Sequence, residues 1–274
     1  MTLPETFVFS AKNLQSYADC PRRFQLRYVE RWRSPTMTAA ETADELAYEK
    51  RVRQGAKLHQ LAKLSQQGIP QDLLKAAIQD DNVALWFDEL LSSALHDLPG
   101  TRLPEKRLQT SLNGRRLMAQ VDLLAYEPGG DFVIVDWKTG NYVPDRESLR
   151  QRWQTIVYLY VAAKAGERLY GAELPAERVR LDYVYLARGG QRISFAYSPE
   201  QMRADAALLS GLMDEIQSVS DFPLTANRRH CRFCAFRVHC ERGEAGSLDH
   251  VDFDDLDETG DAELDFEQIG EYAF

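Results

Sequence analysis

Residues 132–138 read Phe-Val-Ile-Val-Asp-Trp-Lys, an apolar run that ends with a carboxylate and an amine two positions apart. A β-strand has a side-chain period of two, so Asp136 and Lys138 share one face and Trp137 takes the other. Upstream, residues 115–125 form an expected strand in which Leu117, Ala119, Val121 and Leu123 alternate onto one face, and Asp122 lies on the same strand, on its other face. Glu127-Pro128-Gly129-Gly130 between the two strands reads as a turn. If residues 127–131 make that turn, Tyr126 faces Phe132 and Asp122 lies directly opposite Asp136, with Cβ atoms about 4.5–5.5 Å apart. A shift of one residue would send Asp136 to the other face. Two carboxylates so close repel unless a cation sits between them. Oxygen ligands of this sort suit Mg²⁺ or Mn²⁺, ions that activate a water and stabilise charge on a phosphoryl group during in-line attack. Lys138 is placed to orient the water or to offset developing negative charge. Taken alone, however, an Asp-X-Lys triplet reads first as a salt-bridged pair at a strand end.

A second set of chemically able residues is the four cysteines. Cys231-x2-Cys234-x5-Cys240 forms a compact group and Cys20 stands apart near the other end. The spacing suggests zinc or an iron–sulfur cluster, and His230 and His239 are neighbours able to replace a ligand in a zinc site. His59, taken singly, is more often a surface or core histidine than a ligand. Glu105, early in an expected strand, either points at the carboxylate site or caps the sheet.

The elements that must position these groups follow from periodicity and turn chemistry. Ser10 to Glu30 reads as a capped helical segment broken near Cys20-Pro21. Residues 43–66 and 71–97 carry apolar residues at helical spacing. Strands are expected at 103–112 and 115–125 around the hairpin signal Asn113-Gly114, then at 132–138, 178–187 and 191–197, the last two joined at Gly189-Gly190. Helices are expected over 146–164 and 198–219. The sum is a mixed α+β fold, a mixed central sheet with helices packed around it.

The net charge of −9 divides unevenly along the chain. Residues 244–274 hold twelve Asp or Glu and no Lys or Arg, so residues 1–243 carry thirty acids against thirty-three bases. A mildly basic body is compatible with a nucleic-acid partner without demanding one. The acidic tail is expected to be disordered, and serves as a solubilising segment, a partner-docking motif or a pseudo-substrate for the basic body. No secretory signal pattern and no membrane-length apolar run is present, which leads to the expectation of a cytoplasmic protein with thiols kept reduced. A Gly-x-x-x-x-Gly-Lys-Ser/Thr motif is absent, so any unwinding would need a partner.

Five motifs in order carry a family resemblance from Phe9 to Cys240. They are "SAKNLQSYADCPRRF" from Ser10, Gly55-Ala56-Lys57-Leu58-His59, Asp122 in "AQVDLL", "VIVDWKTG" around Asp136, and Gln154-Thr155-Ile156-Val157-Tyr158. The sequence resembles PD-(D/E)XK nucleases, in particular the iron–sulfur nuclease domains of bacterial recombination helicase-nucleases and the CRISPR-associated adaptation exonucleases. That resemblance implies an α/β restriction-endonuclease-like core. It implies His59, Asp122, Asp136 and the carbonyl of Trp137 as ligands of Mg²⁺ or Mn²⁺, Lys138 as the catalytic lysine, and Gln154 and Tyr158 reaching toward the site from one helical face. It also implies a [4Fe-4S] cluster on Cys20, Cys231, Cys234 and Cys240, with zinc as the runner-up. Ala119-Gln120 departs from the Gly-plus-basic pair frequent in the second motif, and Asp at position 136 lies within the family's range.

The expected organisation is a nuclease domain over 1–243, with a helical insertion at about 31–100 and a clasp joining Cys20 to residues 231–240, followed by the tail at 244–274. The expected activity is metal-dependent DNA hydrolysis, exonucleolytic on single strands or ends, in repair, recombination or CRISPR adaptation alongside a helicase or adaptation protein. A non-catalytic DNA-binding or scaffold subunit is the alternative, and the intact Asp122, Asp136 and Lys138 argue against it.

Overall fold

The computed structural model describes residues 3–4, 6–32, 43–232 and 234–242. The acidic segment 244–274 lies outside the described residues. The chain begins with a short strand β1 (Val8–Ser10), helix α1 (Ala11–Asp19), and a short helix α2 (Pro21–Phe24) that widens into a π turn at Gln25–Val29. Helices α3 (Ala43–Gln66), α4 (Gln71–Ala76) and α5 (Asp81–Glu89) follow, with a second π turn at Leu90–Ala94. Strands β2 (Thr101–Leu112), β3 (Arg115–Tyr126) and β4 (Phe132–Lys138) come next. Helices α6 (Arg146–Gln151), α7 (Trp153–Ala165) and α8 (Glu167–Tyr170) lead to strands β5 (Val179–Tyr185) and β6 (Gln191–Ala196) and helix α9 (Pro199–Ser218).

Six strands make one mixed sheet ordered β1-β3-β4-β5-β6, with β2 paired to β3. β2 runs antiparallel along the length of β3, which leaves the other edge of β3 to two partners. β1 meets it in parallel at residues 116–118 and β4 meets it antiparallel at residues 123–126. Between those two stretches the sheet forks, and the fork holds the site. Every residue of β4 is buried, as befits a central strand covered on both faces.

The two faces carry separate cores. On one, Phe132, Ile134, Leu181, Tyr183 and Tyr185 pack with α1, α7 and α9, and residues 154–163 of α7 are buried on all sides. On the other, Val133, Val135, Trp137 and Val184 pack under Leu58 and Leu61 of α3 and Trp86 and Phe87 of α5. The mixed α/β architecture with helices flanking a mixed sheet is the one expected from the sequence.

Several local expectations are corrected. Val8–Ser10 joins the sheet ahead of the helix, and Ser10 both ends β1 and caps α1 through a reciprocal bond with Asn13. The helix expected over 71–97 is divided because Asp80 caps a fresh start, its carboxylate accepting from the Asn82 and Val83 N–H groups. The helix expected over 146–164 breaks at Arg152, whose backbone is extended. The alternation in β3 also slips. Leu117, Ala119 and Val121 pack into the first core, whereas Leu123 packs into the second and Leu124 returns to the first. The slip falls at Asp122, where the β2–β3 ladder is interrupted.

Candidate active site

The β3–β4 ladder follows the register set by a five-residue turn, with Tyr126 paired to Phe132 and Leu123 to Val135. It then stops one pair short of the expected Asp122–Asp136 match. Asp122 instead places its own carboxylate in the fork, and Oδ2 accepts the backbone N–H of Trp137 at 2.8 Å. Oδ1 lies 3.1 Å from Nδ1 of His59, which α3 presents from the side of the second core. Glu105 joins this pair: ligand atoms of His59, Glu105 and Asp122 all lie within 4.8 Å of one another.

Asp136 and Lys138 face α7. Lys138 Nζ lies 3.0 Å from Asp136 Oδ2 and donates to Gln154 Oε1 at 3.1 Å, and Gln154 Nε2 donates to Asp136 Oδ1 at 3.2 Å. Asp136 is only 3% exposed and Lys138 and Gln154 each 6%. Tyr158, one turn along α7 from Gln154, donates its hydroxyl to the Gln120 carbonyl at 2.7 Å and accepts from Gln154 Nε2 at 3.4 Å. Below the amine lies the Tyr183 ring, with Nζ 5.4 Å from its centroid, and the Tyr183 hydroxyl meets Thr155 Oγ1 at 2.9 Å. The six motif residues thus divide into two adjoining groups, His59 with Asp122 and Asp136 with Lys138, Gln154 and Tyr158.

The electrostatics reflect burial first and the crowding of carboxylates second. Burial pushes the Asp136 carboxyl up to about 6, with Lys138 opposing and Asp122 adding to the rise. Burial and then Asp122 raise Glu105 as well. For His59, burial works against the cation, but Asp122, Glu105 and Asp136 together outweigh it and the imidazole is pushed up to about 10. Burial, then Asp136, hold the Tyr158 phenol well above its usual range. A divalent cation would relieve the repulsion among the carboxylates, and His59 would bind it as the neutral imidazole. The donor set, carboxylate oxygens with one imidazole nitrogen, fits Mg²⁺ or Mn²⁺. Asp136 Oδ2, buried and ion-paired to Lys138 without an aligned hydrogen bond, is in keeping with that fit.

Three contributors were not legible as such in the sequence. Gln120 stood out only as a departure from a motif, yet its carbonyl holds Tyr158 and its side-chain amide donates to Glu105 Oε2 at 3.0 Å. Tyr183, beneath Lys138, belongs to no motif, and Thr155, which meets its hydroxyl, fills an unspecified position of the Gln-x-x-x-Tyr motif.

The cysteines come together in a separate pocket. Cys20, Cys231, Cys234 and Cys240 line one pocket with Arg23, His230 and Phe236, and none is in a disulfide. Burial, then the neighbouring Cys20, raise the Cys240 thiol. Four thiols about one pocket are a donor set that suits an iron–sulfur cluster or zinc.

A model of the PD-(D/E)XK nuclease superfamily matches residues 8–241, and the chain belongs to that superfamily. None of the curated proteins matches it. Among solved structures, a protein of Eubacterium rectale solved as a candidate exonuclease is similar at 12% identity and a TM-score of 0.46, over 90% of this chain and 86% of its own. SSO0001 is similar at 13% identity and a TM-score of 0.37, over 88% of each chain. Nuclease chemistry at a divalent-metal site is what the superfamily and the His59–Glu105–Asp122 cluster support. Among the described residues, no helix is long and apolar enough to cross a membrane.

Proposed function

We propose that the protein is a Mg²⁺- or Mn²⁺-dependent deoxyribonuclease acting on single strands or exposed ends, with His59, Asp122, Asp136 and the Trp137 carbonyl holding the ion. The observation that carries this is the fork: Asp122 meets His59 on one flank of it, and Asp136, Lys138 and Gln154 interlock on the other. When bound, the ion supplies Lewis-acid stabilisation of a phosphoryl oxygen and of an attacking water. In the hydrolysis a water oxygen bonds to phosphorus and gives up a proton to solvent, while the phosphorus–oxygen bond to the leaving group breaks and the departing oxygen takes a proton from solvent. Lys138 offsets negative charge that builds on the phosphoryl oxygens, and its amine arrives already oriented by Asp136 and Gln154. Gln154 also fixes Asp136, and Tyr158 anchors that helix face to β3.

The same proposal assigns Cys20, Cys231, Cys234 and Cys240 to a structural [4Fe-4S] cluster, with zinc as the runner-up. Residues 1–243 are then one nuclease domain with a helical insertion at about 31–100, clasped at its two ends. The working place is the cytoplasm, in DNA repair, recombination or CRISPR adaptation beside a helicase or adaptation protein. Protein purified without oxygen should be brown and carry iron and sulfide. A colourless preparation with one zinc per chain would transfer the assignment to zinc.

Activity is tested with labelled single-stranded DNA and Mn²⁺. Wild type should degrade it, and Lys138→Ala should bind it without cutting. If both proteins bind and neither cuts, the chain is a scaffold subunit.

A further inference from the structure

The β2–β3 hairpin holds a strict register from Thr101–Tyr126 to Leu112–Arg115, and the pair missing from it is Glu105 with Asp122. At this point Glu105 takes φ +50°, a left-handed backbone that a glutamate rarely adopts. No turn requires it, since Pro104 and Lys106 on either side stay paired. The distortion delivers the Glu105 carboxylate to within 4.8 Å of the ligand atoms of both Asp122 and His59. Gln120 Nε2 then fixes it by donating to Oε2. Two acidic groups brought face to face inside a sheet repel one another, and a divalent ion joining both would offset that repulsion. Donor atoms across an ion at about 2.1 Å stand roughly 4.2 Å apart, so a small side-chain rotation suffices to close this set. Asp136, meanwhile, is turned to α7 and held by Lys138 and Gln154.

We infer that Glu105 is a further ligand of the divalent ion, completing with His59 and Asp122 the flank of the site that faces α3. This rests on the reading above that Asp122 holds an ion. The distorted strand is then a built feature, since Glu105 carries an unfavourable backbone in order to present its carboxylate.

Titration of the full chain with MnCl₂, read by calorimetry and by the paramagnetic signal of free Mn²⁺, tests it without activity. Glu105→Gln should weaken Mn²⁺ binding about tenfold or more, and Asp122→Asn should abolish it. Glu105→Gly, which suits the left-handed backbone, guards against misfolding: its metal-free melting temperature should hold or rise while Mn²⁺ binding falls as in Glu105→Gln. Should Glu105→Gln bind Mn²⁺ within twofold of wild type while Asp122→Asn does not, the inference about Glu105 is wrong and the nuclease reading stands. Should wild type take up no Mn²⁺, both fall together.

Discussion

At the scale of single residues, Gln154 is where helix and strand act on each other. Its amide gives Lys138 an acceptor and Asp136 a donor, all three being buried. Gln154→Leu fills similar volume and leaves both partners short of a hydrogen bond, at about 1–3 kcal/mol for each buried group left unsatisfied. Lys138 also loses one of the contacts that aim it. Turnover of single-stranded DNA should therefore fall about 10–100-fold with KM little changed, since the interaction serves the transition state and not substrate capture. A KM that rises at constant kcat would place Gln154 in DNA binding instead. The strand period and the turn brought Asp122, Asp136 and Lys138 together in the sequence, whereas His59, Gln154 and Tyr158 were singled out by the family resemblance, the helical period adding only that the last two share a face. Glu105 was legible only as a two-way alternative, because its aim depends on a positive φ that no sequence pattern announces. Gln120 was not legible, since the group that holds Tyr158 is a backbone carbonyl, which every residue type shares.

At the scale of elements, the register of β3 against β4 followed from one turn. Glu127-Pro128-Gly129-Gly130 fixes five residues between the strands, and Gly129, at φ +76°, supplies the left-handed step. What the sequence left open was where pairing stops, because a ladder ends when something else takes its hydrogen bonds, here the Asp122 carboxylate. β1 was missed for a related reason: three residues are too few to show alternation. The junction of α7 and α8 illustrates how tightly the buried helix is seated. A Cβ added at Gly166 would lie 2.5 Å from the Ala162 carbonyl oxygen and from Leu174 Cδ2, and 2.9 Å from Phe132 Cζ. Gly166→Ala should therefore destabilise the fold by about 1–3 kcal/mol, seen as a lower denaturant midpoint with an unchanged slope. Because the clash lies at the far end of α7 from Gln154, Mn²⁺ affinity should stay within twofold of wild type, and a larger loss would mean that the whole helix shifts.

At the scale of the whole molecule, the two ends of the described body are tied twice. Tyr17 and Phe24 of the first helices pack on Phe222, with the Phe24 and Phe222 rings stacked 6.3 Å apart, and Tyr17 donates to Glu215 of α9 at 2.9 Å. The four cysteines repeat the connection through one pocket, joining Cys20 to the segment that follows α9. A cluster there would close a loop of about 210 residues, and loop-closure entropy puts the effect at roughly 3–5 kcal/mol by analogy with a disulfide. The aromatic tie sets the limit on what its loss can do. Cys20→Ala removes one ligand and leaves the Tyr17–Phe24–Phe222 packing in place, so the chain should still fold, without colour and with a melting temperature lower by several degrees. Nuclease activity measured well below that temperature should survive in part, because the carboxylates and Lys138 of the fork are held by α3 and α7. Equal stability in the colourless variant would show that the aromatic contacts alone hold the ends together, and the thiols would then need a role other than a clasp.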